Sequence, residues 1–92
     1  MVLTQEVGRE PTGFFSITDL SAAVGVRGVG AAIMLNADGG AIRYRVDGGT
    51  PTGSSGMLLA ENATLWYVGD LSLLKFINDT GASSTLNATT FK

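Results

Sequence analysis

The chain has 92 residues, no His and no Cys, and its 6 Lys and Arg against 8 Asp and Glu leave a net charge of −2. That length predicts one domain, and the composition excludes disulfides and thiolate metal sites, removes the commonest catalytic base, and offers no basic stripe of the kind that tracks nucleic acid. Only 15% of residues are charged and 45% are apolar, against roughly 25% charged in ordinary soluble domains. A small body with a thin core and so little charge is expected to assemble with copies of itself or with a larger partner.

The first ten residues have no basic segment followed by an apolar run of signal-peptide length, so use without export is expected. Residues 2–7 read as a strand, and residues 1–7 as an extended arm in which Val2, Leu3 and Val7 order on a partner. A turn is predicted through Gly8, Pro11 and Gly13. A strand over 14–18 follows, with Phe15 and Ile17 on one face. Residues 18–23 are ambiguous between loop, strand and one helical turn capped by Asp19. Residues 24–30 alternate Val with Gly or Arg and fit a strand or an irregular segment. Residues 31–35 form an apolar strand. The run 21–35 is too short to span a bilayer and is interrupted by Arg27, so no membrane association is expected.

Asn36-Ala37-Asp38-Gly39-Gly40 sits between two strand patterns and is rich in residues that tolerate positive φ, which predicts a hairpin turn. The next strand, over 41–46, places Ile42, Tyr44 and Val46 on one face and Arg43 and Arg45 on the other. A Gly/Ser/Thr-rich loop over 47–56, with Thr50 and Pro51 near its middle, has little to bury. Residues 57–60 return to the core. The strand over 63–68 is apolar on both faces, which places it at the centre of a sheet or under a partner. Strands over 71–77 and 84–91 complete the chain. No window of helical length carries a 3.6-residue apolar stripe. The fold class is therefore all-β: one domain over 1–92, an antiparallel sandwich or barrel of Greek-key or jelly-roll type with about seven or eight short strands.

No motif in this pattern carries chemistry. Gly28-Val29-Gly30 lacks the strand–turn–helix setting of a dinucleotide site. Asn36-Ala37-Asp38-Gly39 lacks the further ligands of a calcium loop. Three Asn-x-Thr sequons, at Asn62, Asn78 and Asn87, read as accidents of a polar β-protein. Asp38, Asp47, Asp70 and Asp79 occupy turns, their usual structural place. No enzyme, cofactor or metal is expected. Arg43 and Arg45 share a strand face and read either as solvated or as an intersubunit salt-bridge site. Trp66 reads as core or as an interface anchor.

The run Arg43-Tyr44-Arg45-Val46-Asp47-Gly48-Gly49-Thr50-Pro51-Thr52, followed by Gly56-Met57-Leu58-Leu59, resembles small virion proteins of tailed bacteriophages. The later segments 71–77 and 84–89 match in style, and Gly49 stands where related chains often have Thr. The resemblance covers about the C-terminal half. It implies a structural protein of the phage particle: a capsid decoration or cement protein, located on the virion, homo-oligomeric and bound to the major capsid protein or another virion protein. On that reading residues 1–7 and 47–56 are the contact segments. Two alternatives stand beside it: a neck, tail or fibre-base protein, and a small carbohydrate-binding module using Trp66, Tyr44 or Tyr67 as a platform. A glycan binder should show an exposed aromatic beside polar side chains in a shallow groove. A decoration protein should have its apolar patches covered by neighbouring subunits.

Overall fold

A computed structural model describes residues 10–26 and 30–92. The expected arm, including Val2, Leu3 and Val7, and part of the 24–30 segment lie outside the described residues. The strands are β1 (Pro11–Ile17), β2 (Val24–Gly25), β3 (Ala32–Asp38), β4 (Ile42–Arg45), β5 (Met57–Leu59), β6 (Thr64–Val68), β7 (Lys75–Asn78) and β8 (Thr85–Phe91), with one 3₁₀ turn at Leu71–Leu73. They form two antiparallel four-stranded sheets, ordered β1-β8-β3-β6 and β2-β7-β4-β5. That order is a jelly roll, in which the chain passes back and forth between the sheets. Of the sandwich and the barrel expected from the strand count, the sandwich is the one present. No helix among the described residues is long and apolar enough to cross a membrane.

Period-2 alternation builds the core. In the first sheet, Ile33, Leu35 and Ala37 of β3 stand beside Thr90, Ala88 and Leu86 of β8, and all six are buried. Phe15, Ile17, Leu65 and Tyr67 extend this inner layer from the edge strands. The second sheet answers with Ile42, Leu59 and Phe76. Each fully buried side chain of this size contributes about 1.5–3 kcal/mol.

Two leucines enter this core from loops by the same device. Asp19 accepts hydrogen bonds from the backbone N–H and the hydroxyl of Ser21, at 3.1 and 2.6 Å. Asp70 accepts the same pair from Ser72, at 3.0 and 2.6 Å. Each Asp-Leu-Ser turn drives its leucine inward, and Leu20 and Leu71 are both buried. In both, the serine hydrogen bonds pull the aspartate pKa below its ordinary value.

Three sequence expectations are corrected. The turn over 36–40 is not a hairpin: β3 and β4 lie in different sheets. Gly39, at φ 82°, reverses the chain so that Ala37 and Ile42 both face inward from opposite layers. Turn-forming residues between two strands suit such an arch as well as a hairpin. Pro11 and Gly13 are not turn residues but belong to β1, where the register with β8 shifts between them. An edge strand tolerates the missing proline N–H, and an irregularity accommodates glycine. Residues 71–77 are not one strand, because the Asp70 cap closes the 3₁₀ turn before β7 begins. In addition, β6 is an edge strand, so its two apolar faces do not reflect a central position.

Candidate interaction surfaces

The loop over 47–56 joins β4 to β5, which pair directly. Its own contacts order it. Arg45 grips Asp47 with both arms of its guanidinium, Nε to Oδ1 at 3.0 Å and Nη2 to Oδ2 at 2.6 Å, and the Gly49 N–H donates to the same carboxylate at 3.0 Å. Gly48 N–H bonds the Leu73 carbonyl, and Thr80 N–H bonds the Gly53 carbonyl. Thr52 and Ser55 exchange backbone bonds at the tip. Arg43 Nε donates to Asp79 Oδ1 at 2.7 Å and Nη1 to the Gly56 carbonyl at 3.2 Å. Pro51, near the middle of the loop, is fully buried, and Thr50 is exposed. This segment, expected to have little to bury, is thus a folded part of the body.

Arg43 and Arg45 accordingly hold intramolecular partners, and Pro51 is packed inside. Beside them, apolar side chains are displayed to solvent next to the exposed polar residues Asp47, Thr50 and Thr52. Met57 and Leu58 are 60% and 53% exposed on edge strand β5, and Val46 is exposed at the end of β4. Arg45, Val46, Asp47, Gly56 and Met57 line a shallow groove of about 300 Å³. Residues 57–60 are expected to return to the core, yet only Leu59 of β5 is buried. The alternation of a three-residue strand is too short a signal to reveal this.

Hydrogen bonds from Arg45 and from the Gly49 N–H hold the Asp47 carboxyl at about 2, against an ordinary 3.8. Because the folded carboxyl titrates below the unfolded one, its stabilisation is complete above about pH 4 and is lost as the pH falls through 2. Asp19 and Asp70 act in the same direction. Asp47→Asn is expected to shrink, without abolishing, the loss of stability between those pH values, read from urea midpoints measured across the acid range. An unchanged acid limb would show that the Arg45 pair is silent, as many exposed pairs are.

A second surface lies on the outer face of the β1-β8-β3-β6 sheet. Register places Phe14, Thr89, Met34 and Trp66 in one row across the four strands, and Ser16, Asn87, Asn36 and Thr64 in the next. The four strands contain a single charged residue, Asp38, at the end of β3. The opposite sheet carries Arg43, Arg45 and Lys75. Trp66 does not enter the inter-sheet core. It lies half-buried on this outer face, its ring centroid 5.0 Å from that of Phe91. Tyr44 and Tyr67 pack against the core instead. No family model, curated protein or solved structure matches the chain.

Proposed function

We propose that this chain is a non-enzymatic structural protein of a tailed-phage virion: a capsid decoration or cement protein that binds the major capsid protein lattice and stabilises the shell. The observation that carries the reading is the construction of the 43–59 segment. The residues that bear the resemblance to small virion proteins tie a loop to the body by hydrogen bonds and display Val46, Met57 and Leu58 beside it. An ordered apolar edge costs little conformational entropy on docking, which favours a repeated, well-defined contact. A symmetric shell presents the same surface many times, and copies arranged around its axes would make a homo-oligomer. Jelly rolls serve in viral capsids and in lectins alike, so the fold is compatible with this role but does not select it.

The test is co-sedimentation with capsids that lack the protein, followed by imaging. The parent chain is expected to pellet with the capsids and to add density on their lattice. The double variant Met57→Glu/Leu58→Glu, which places two charges on the contact edge, is expected to stay in the supernatant with an unchanged circular dichroism spectrum. Density confined to a neck or tail would assign the chain to that part of the particle. Equal pelleting of parent and variant would remove the β5 edge from the contact.

A further inference from the structure

We propose that the outer face of the β1-β8-β3-β6 sheet is a binding site for an uncharged glycan, held by Phe14, Asn36 and Asn87. A trough of about 310 Å³ crosses this face, lined by Phe14, Met34, Asn36, Thr64, Asn87 and Thr89 together with backbone of the underlying strands. That volume is at the small end of ligand sites, which run from roughly 300 to 1,000 Å³.

The polar groups in the trough have unused capacity. Asn36 and Asn87 are direct cross-strand partners, so their side chains stand side by side on one face. Asn87 Oδ1 accepts from the Ser16 hydroxyl at 2.7 Å, which leaves its two N–H groups without a partner among the described residues. Asn36 donates to the Ala63 carbonyl at 3.3 Å, which leaves its Oδ1 likewise open. A donor pair and an acceptor set next to one another match neighbouring sugar hydroxyls, each of which both donates and accepts. Phe14, 68% exposed, stands one row away. An aromatic face carries negative quadrupole charge and attracts the slightly positive C–H face of a sugar ring.

The absence of cationic side chains from these strands selects the ligand further. No Arg or Lys lies on these four strands to pair with a carboxylate, sulfate or phosphate. A flat face of a second copy fits less well. The Ser16–Asn87–Asn36–Thr64 row runs across all four strands, and a dry protein face would strand its open amide groups. This site is independent of the virion reading and lies on the sheet opposite Leu58 and Arg43.

The experiment titrates the labelled protein with maltoheptaose, cellopentaose and penta-N-acetylchitopentaose, with sialyllactose as the charged comparator. It follows the side-chain amide signals of Asn36 and Asn87. At least one neutral probe is expected to shift both signals with a dissociation constant on the order of 1 mM or tighter, while sialyllactose binds more weakly. Phe14→Ala and Asn87→Ala should each weaken binding tenfold or more, and Thr89→Lys should block it, all with native backbone spectra. The proposal is overturned if no neutral probe moves these amides, or if the variants bind as well as the parent. It is also overturned if the mass doubles with concentration in a manner that Thr89→Lys alone abolishes, because the face would then be a self-interface.

Discussion

Phe76→Ala is expected to remove most of the domain's stability. Phe76 is fully buried at the middle of β7, between Val24 and Tyr44 in register, and its ring lies 6.3 Å from that of Tyr44. Removing a buried phenylalanine costs about 3–5 kcal/mol, the transfer of the ring plus the cavity it leaves. The jelly roll has one thin layer of side chains between its sheets, so few neighbours can move in to fill that cavity. A domain of this size has roughly 5 kcal/mol in total at the lower end of the usual range. The urea midpoint should therefore fall to a small fraction of its parent value, or the folded baseline should disappear. Phe14→Ala is the control: the same chemical change at an exposed site should stay within about 0.5 kcal/mol. A Phe76→Ala variant that unfolds within about 1 kcal/mol of the parent would mean that the two sheets are held together elsewhere.

Gly56→Ala is expected to cost about 2–4 kcal/mol and to loosen the β4–β5 loop. Gly56 has φ 127°, a conformation that side-chain-bearing residues rarely adopt. A Cβ there would stand 3.0 Å from the Tyr44 carbonyl oxygen and 3.2 Å from the Pro51 ring, and neither is the tip of a flexible side chain. Gly81→Ala separates the two contributions. Gly81 also has positive φ, at 81°, but an added Cβ meets nothing within 4 Å, so only the backbone cost of about 1–2 kcal/mol applies. The melting temperature should fall by roughly 4–8 °C per kcal/mol in a domain of this size, and by clearly more for Gly56→Ala than for Gly81→Ala. Equal losses would show that the crowding by Tyr44 and Pro51 relaxes freely. If the β5 edge is the capsid contact, Gly56→Ala should also weaken co-sedimentation while Gly81→Ala leaves it unchanged.

The strands were legible in the sequence where a short patterned run was bounded by turn residues. Residues 31–35, 41–46, 63–68 and 84–91 all lie on or largely within observed strands: 41–46 shows period-2 alternation, while 31–35 and 63–68 are short apolar runs too brief for a helix. What escaped was information held between distant residues. Arg43 reaches Asp79, 36 positions away, and no local pattern announces that pairing, so its strand face read as solvated or intermolecular. Pro51 looked like a loop residue, and its burial depends on neighbours brought in by the fold. The same limit explains the turn at 36–40, since its composition specifies a reversal and not which sheet receives the outgoing strand. The repeated Asp-Leu-Ser, at 19–21 and 70–72, is a local signal of a different kind: it marks both leucines that plug the core between strands. The row of Asn36 and Asn87 was not foreseeable, because it exists only once β3 and β8 are set in register.

The pairing of β1 with β8 also bears on how the protein is made. Pro11 to Ile17 find their partners at Leu86 to Phe91, so β1 has no strand to join until β8 has been synthesised. Ribosomes add roughly 5–20 residues per second, which leaves Phe14 and Phe15 waiting for several seconds. Strand β3 can pair with β6, which has no charge along its length, once that strand has emerged, but its other edge waits for β8. Closure of that sheet is thus a late event that joins distant parts of the chain, the kind of step that takes milliseconds to seconds even in the free protein. A nascent chain carrying such uncovered strands is a natural client for chaperones, and its yield in a host cell should depend on them more than its small size would suggest.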